Sequence, residues 1–168
     1  QHFQFSTIPL FRVLWDAIDM NDSFSVDQMY MGMALREAER GAEEGEVPCG
    51  AVIVKDELII GKAHNQTETL KDPTAHAEIL AITQASAALD NWRLNDAVMY
   101  ITKEPCPMCA GAISHARIDK LYYAASDPKG GAVEHGARVF EQDQCLHRPE
   151  VYSGMGEAEA AELLRGFF

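Results

Sequence analysis

Two short stretches gather the residues able to hold a metal ion and move a proton. Pro73-Thr74-Ala75-His76-Ala77-Glu78 puts an imidazole and a carboxylate two residues apart, where an apolar-periodic segment (Ile79, Leu80, Ile82) begins. Pro105-Cys106-Pro107-Met108-Cys109 starts 27 residues beyond Glu78 and sets two thiols three apart. One His and two Cys make a three-ligand set, and a catalytic zinc takes three protein ligands and leaves a fourth position for water. Cys106 and Cys109 share one face of a helix start, where the positive end of the helix dipole favours thiolates. Pro107 suits the first helical turn, in which its missing N–H is no loss. Glu78 falls beside the open position, where a general acid or base belongs.

Each half alone is ambiguous. A lone C-x-x-C serves structural zinc half-sites and redox pairs, and a lone H-x-E says almost nothing. A structural zinc site is normally closed by four ligands. His64, His115, Cys49 and Cys145 are available as a fourth, yet none has motif spacing to the other three. A redox pair leaves His76-Ala77-Glu78 unexplained. An inactive, zinc-stabilised binding module has no use for Glu78.

The elements that must position these residues can be read from periodicity. Ser25 is a candidate N-cap for a helix to about Glu44, carrying Met29, Met33 and Arg36 with Tyr30, Ala34 and Ala38 at helical spacing, and Gly45 closes it. The Met stripe reads as core packing. Cys49 to Lys55 and Leu58 to Ala63 flank Asp56-Glu57 as a hairpin. His64 to Pro73 is polar and predicts a loop, followed by a helix from about Ala75 to Leu89. A strand at Ala97 to Thr102, a helix from Pro107 to His115 and a strand at Leu121 to Ala125 come next. Asp127-Pro128-Lys129-Gly130-Gly131 is a loop by composition. A helical turn at Gly136 to Phe140, a fifth strand at Val151-Tyr152 and an amphipathic helix from Glu157 to Phe167 complete the chain. This order predicts an α/β fold of three layers, α/β/α, around a mixed sheet of about five strands.

Bulk properties narrow the setting. The 168 residues suffice for one domain with a real core, and the 47% hydrophobic content is ordinary for a globular chain. No stretch approaches the roughly 18 consecutive apolar residues of a membrane span. Phe3 to Ile18 lacks the basic start and clean apolar run of a signal peptide. Met20 is an internal start candidate, so residues 1–24 are expected to be an extension, of which 1–19 are a candidate fusion remnant, and 25–168 the domain. Four cysteines, two of them in C-x-x-C, do not form a disulfide framework in a chain this size, which fits a reducing, cytoplasmic setting. The net charge of −12 argues against nucleic acid at first sight. Its distribution tells more: residues 1–46 hold nine acidic and three basic residues, whereas Lys103 to Arg148 hold six of each. The acidity lies at the ends of the chain and not around the thiol pair.

H-A-E followed by P-C-x-x-C resembles the signature of zinc-dependent nucleoside and nucleobase deaminases. The match extends to Val47-Pro48, Gly50-Ala51-Val52, His64-Asn65, Asp72 to Glu78, Arg93-Leu94, Glu104 to Cys106, Met108 to Ala112, Asp127 to Gly131, His147-Arg148, Leu163-Leu164 and Phe167-Phe168. Over about Met29 to Phe168 the chain is similar to bacterial tRNA wobble-adenosine deaminases. That resemblance implies a cytidine-deaminase-like fold, one Zn2+ per subunit on His76, Cys106 and Cys109, and Glu78 as proton shuttle. It implies hydrolytic conversion of adenosine to inosine at the wobble position, with release of ammonia. Asn65 matches the side chain that holds the target nucleoside, and Val47, Pro48 and Ala77 match the pocket wall. Asp127 and Lys129 match the loop that meets the anticodon nucleotides. Phe167 and Phe168 match residues that close over the neighbouring bases. Expected partners are the tRNA anticodon stem-loop and a second copy of the chain, with no membrane.

Bland alternatives stand beside these roles: Asn65 as a turn residue ending a strand, Asp127 and Lys129 as a solvated Gly/Pro loop, the Phe pair as helix-end packing. The chain also departs from the family. It stops at Phe168 where many members continue with a basic tail, Thr67 stands where some relatives carry an RNA-contacting Arg, and Lys103 replaces the usual apolar residue before Glu-Pro-Cys. A guanine or cytosine deaminase acting on small free substrates is the alternative, since it shares the zinc site and the E-P-C-P-M-C wording. The Asp127 loop and the long last helix favour the tRNA reading.

Overall fold

Strands whose alternate residues are apolar on both faces can only sit in the middle of a layered fold. The computed structural model describes residues 23–168. Its five strands are β1 (Gly50–Lys55), β2 (Leu58–His64), β3 (Val98–Lys103), β4 (Lys120–Ala125) and β5 (Glu150–Ser153), in the sheet order β2-β1-β3-β4-β5. β1 runs antiparallel to β2 and β3, and β4 runs parallel to β3 and β5. The helices are α1 (Ser23–Glu43), a single turn α2 (Thr67–Leu70), α3 (Ala77–Leu89), α4 (Pro107–Ala116) and α5 (Glu157–Phe167). The expected mixed, five-stranded α/β/α architecture is the one observed.

Alternation along the strands divides the core in two. Ala51, Ile53, Met99, Ile101, Leu121 and Tyr123 pack with Ala77, Ala81, Ala110 and Ile113 of α3 and α4. Val52, Val54, Tyr100 and Ala124 pack on the other face with Met31, Ala34 and Leu35 of α1 and Ala160 of α5. Met31 is 1% exposed, and Met29 and Met33 lie against the same cluster, so the methionine stripe is core packing. Two glycines let the layers close. A Cβ on Gly50 would strike the carbonyl of Ala34 in α1, and one on Gly61 would strike that of Ala81 in α3. The β1–β2 hairpin turns on Asp56 and Glu57 at φ +49° and +64°, the left-handed pair whose twist matches the flanking strands.

The boundaries differ from expectation in instructive places. α1 begins at Ser23, so Ser25 lies inside the helix and is not its cap. Of the extension expected at 1–24, residues 1–22 lie outside the described residues. The polar segment expected to be a plain loop holds α2, because the buried carboxylate of Glu46 accepts the N–H groups of Glu68 and Thr69 at 3.2 and 2.7 Å. α3 starts at Ala77 rather than Ala75, since a turn closed by Ala75 N to Asp72 O occupies the preceding residues. The turn expected at Gly136 to Phe140 is a 3-10 turn at Val139–Glu141. Among the described residues no helix is long and apolar enough to cross a membrane.

Candidate active site

Two helix starts converge at the ends of α3 and α4. His76 is the N-cap of α3 (φ −74°, ψ 151°) and Cys106 the N-cap of α4 (φ −69°, ψ 171°), with Pro107 as the first helical residue. Both caps hold extended backbone while their carbonyls accept the first helical N–H, from Leu80 at 3.0 Å and Ala110 at 2.9 Å. Cys109 follows inside the first turn of α4 and is fully buried. The Nδ1 of His76 lies 3.7 Å from Cys106 Sγ and 3.5 Å from Cys109 Sγ, and the three ligand atoms lie within 4.8 Å of one another. In a tetrahedral zinc site with Zn–S and Zn–N bonds of usual length the N···S edge is about 3.6 Å. The cluster therefore has the donors and the spacing for a four-coordinate cation with one position left over.

Its electrostatics already lean toward binding a cation. The Cys109 thiol donates to the Cys106 sulfur, which together with His76 holds Cys106 down to about 4 against the opposing effect of burial. Cys109 is pushed up by that same hydrogen bond and by burial. His76 is raised by its hydrogen bond to Cys106, although burial works the other way. Glu78, in the first turn of α3, is 7% exposed. Burial raises its carboxyl above the ordinary range, and its own backbone N–H and the His76 charge offset only part of that. Cys109 and the His76 charge both pull its carboxyl back toward the ordinary range without reaching it. A buried acid with a raised pKa, in the same helix turn as a metal ligand, suits proton transfer near neutral pH.

The neighbouring residues form a second ring. Asn65 is buried at the end of β2, and its Oδ1 accepts the Ala77 N–H at 2.9 Å. That bond fixes the amide so that Nδ2 is left free to donate. Val47 is half-buried and Pro48 buried just before β1. Burial first, and then the charge of Glu78, push the Cys49 thiol up to about 12, so it is a neutral wall residue rather than a nucleophile. Asp127 opens the loop after β4. Its Oδ1 accepts the N–H groups of Lys129 and Gly130 at 3.1 and 3.0 Å, and its Oδ2 meets Lys103 Nζ at 2.5 Å. The Lys129 side chain is exposed.

The structure thus gathers His76, Ala77, Glu78, Cys106, Cys109 and Asn65 directly, and brings in Asp127 through Lys103. Phe167 and Phe168 stand apart. They are 37% and 88% exposed at the end of α5, edge to face at 5.2 Å, and Phe167 lines a groove with Leu35 and Ala42 of α1.

Comparison with known proteins gives the family. The MafB19-like deaminase profile covers residues 25–168. The tRNA-specific adenosine deaminase of Agrobacterium fabrum (strain C58 / ATCC 33970) is 55% identical over 139 residues, 83% of this chain and 91% of that protein. The chain belongs to the tRNA-specific adenosine deaminase family. A solved structure from work on A-to-I editing by tRNA:A34 deaminases at the wobble position superposes with a TM-score of 0.80 at 54% identity, covering 81% of this chain and 99% of that one. Guanine deaminase from Bacillus subtilis is also similar, with a TM-score of 0.58 and 44% identity over 59% of this chain and 64% of that one. The chain is accordingly a hydrolytic deaminase.

Two residues that shape the site of this deaminase were noted in the sequence without being given that role. Glu104 is 2% exposed, and its carboxylate accepts five hydrogen bonds. They come from the N–H groups of Asp127 (2.9 Å), Val133 (3.2 Å), Glu134 (2.9 Å) and His135 (3.0 Å), and from His135 Nδ1 (2.8 Å). A Cβ on Gly131 would collide with that carboxylate. Lys103 is the other. The available signal was their position: two adjacent charged residues end an apolar strand directly before Pro105-Cys106. Glu46, which holds α2, had no such mark among its acidic neighbours Glu43 and Glu44.

Proposed function

We propose that this chain converts adenosine to inosine at the wobble position of a tRNA anticodon, releasing ammonia, with one zinc ion on His76, Cys106 and Cys109. The observation that carries it is Glu78, a buried carboxyl with a raised pKa two residues from His76 of the open His-Cys-Cys set. Zinc held there supplies Lewis acidity that activates water as the nucleophile. Glu78 accepts the proton of that water and passes it to the ring nitrogen beside the reacting carbon. It then takes the second proton of the added water, from the hydroxyl now bonded to that carbon, and delivers it to the exocyclic amine as the C–N bond breaks, so that adenosine and water become inosine and ammonia. Asn65, with its oxygen pinned by Ala77, offers an N–H donor to the nucleoside, and Val47, Pro48 and Ala77 wall the base. Asp127 and Lys129 face the flanking nucleotides, and Phe168 stacks on a neighbouring base.

Small-substrate deamination is the second reading, favoured by the likeness to guanine deaminase. Identity above 50% over most of the chain supports the tRNA reading instead. An anticodon stem-loop with adenosine at the wobble position is expected to yield inosine with the zinc-loaded protein, read by nucleoside chromatography. Ammonia from free guanine or cytidine with no inosine in the stem-loop would overturn it.

The same reading includes a homodimer in the cytoplasm. Trp92 and Leu146, 54% and 90% exposed, flank a groove of about 360 Å³ that also takes in Gly111 of α4, an apolar face suited to a second copy. All four cysteines are free thiols, which suits a reducing compartment. Sedimentation at the mass of two chains is the expected result.

A further inference from the structure

Asp127 is held on every side but one. Glu104 fixes its backbone N–H at 2.9 Å and pins the far end of the same loop through Val133, Glu134 and His135. Its Oδ1 is taken by the N–H groups of Lys129 and Gly130. Only Oδ2 faces a group that can move, the ammonium of Lys103 at 2.5 Å. Lys103 ends β3, three residues before Cys106. Its side chain is 33% exposed against 14% for that of Asp127, so the pair sits half out of water. The Lys103 charge also acts on Cys49 and Glu78, which sets the pair beside the reacting centre. At this edge of the centre Lys103 stands between two carboxyl groups, Asp127 and Glu78, and an incoming strand adds phosphates of the same sign.

Given the tRNA reading above, we propose that Lys103 is a specificity-determining residue, which neutralises and orients Asp127 so that the site admits a polyanionic strand. Removing the ammonium leaves a carboxylate that two backbone N–H groups keep charged and aimed outward, and like charges across a forming interface oppose association. The N–H groups of Gly130 and Lys129, which lower the carboxyl of Asp127 alongside Lys103, stay in place when the ammonium is gone. Lys103 bonds Asp127 directly and reaches Glu78 only through its field, so its loss falls mainly on binding rather than on the chemical step.

The test measures kcat and KM on the anticodon stem-loop, and stem-loop affinity in a Glu78→Ala background by fluorescence anisotropy. Lys103→Met is expected to raise KM and the dissociation constant roughly tenfold with kcat within about twofold. Adding Asp127→Asn to Lys103→Met is expected to recover most of the lost affinity, because the unpaired charge is then gone. Lys103→Arg is expected to rescue binding. Unchanged KM in Lys103→Met, a fall in kcat alone, or a defect that Asp127→Asn leaves in place would overturn the proposal. Absence of inosine with the unaltered chain would instead overturn the tRNA reading itself. Thermal melting of each variant separates a folding defect from a binding one.

Discussion

The first turn of α3 and the end of β3 each bury a glutamate, and the two could hardly be treated more differently. Glu78 and Glu104 are 7% and 2% exposed. Burial pushes both carboxyls toward the neutral form. At Glu104, four backbone N–H groups and an imidazole reverse that push, and its pKa ends below the ordinary glutamate value. At Glu78 the opposing groups are too few and its pKa ends above. The many donors at Glu104 and the stronger desolvation of Glu78 together separate a carboxylate that ties a loop down from a carboxyl free to exchange a proton. The loop carrying Asp127 is rigid because of the first kind, and the chemistry is available because of the second.

The widest separation is expected in turnover. Glu78→Gln removes the proton carrier while keeping size and burial, and is expected to lower inosine formation by roughly 10²–10⁴-fold. Zinc content, read by atomic absorption, is expected to stay at that of the unaltered protein. Substantial activity in that variant would erase the distinction between the two glutamates.

Stability is expected to rank them the other way. Glu104→Gln turns an amide NH2 toward N–H groups that need acceptors, and is expected to lower stability by about 2–3 kcal/mol, seen as a lower urea midpoint with unchanged slope. Glu78→Gln is expected to leave the midpoint unchanged or higher, since it relieves a poorly solvated acid. Because the folded pKa of Glu104 is depressed, its contribution is present above the unfolded value of about 4.3 and is lost as pH falls through the folded value. The deficit of Glu104→Gln is therefore expected to shrink in acid. A deficit that stays constant down to about pH 3 would mean that Glu104 is not held as a carboxylate.

A third buried glutamate gives the smallest effect and a finer scale. Glu37 faces His64 Nδ1 at 3.1 Å, and Glu44 reaches the other ring nitrogen at 2.8 Å. Burial disfavours the imidazolium, but these two acceptors outweigh it and raise the His64 pKa. A raised folded pKa contributes stability that is full below about 6.5 and fades as pH rises through the folded value. Melting temperatures of the unaltered chain are expected to fall across that window, and the fall is expected to be missing in His64→Gln. Equal slopes would show that the pair with Glu37 is neutral throughout.

Spacing alone determined much of this molecule. His76, Glu78, Cys106 and Cys109 were legible because their chemistry depends on separations of two and three residues at helix starts, which the covalent chain dictates wherever those helices form. The strands and the helices α3 to α5 were legible to within two or three residues from apolar periodicity, since burial of one or both faces leaves that mark. What the chain could not disclose are contacts between distant segments. Glu104 meets residues 23 to 31 positions away, Lys103 finds Asp127 across two strands, and Asn65 caps a helix twelve residues on. The position of the Lys-Glu pair before Pro105-Cys106 marks it as near the site, but its local pattern does not say which groups it meets. Only the parallel pairing of β3 with β4 brings the loop after β4 over the end of β3, and a buried charge then has to be met there by donors.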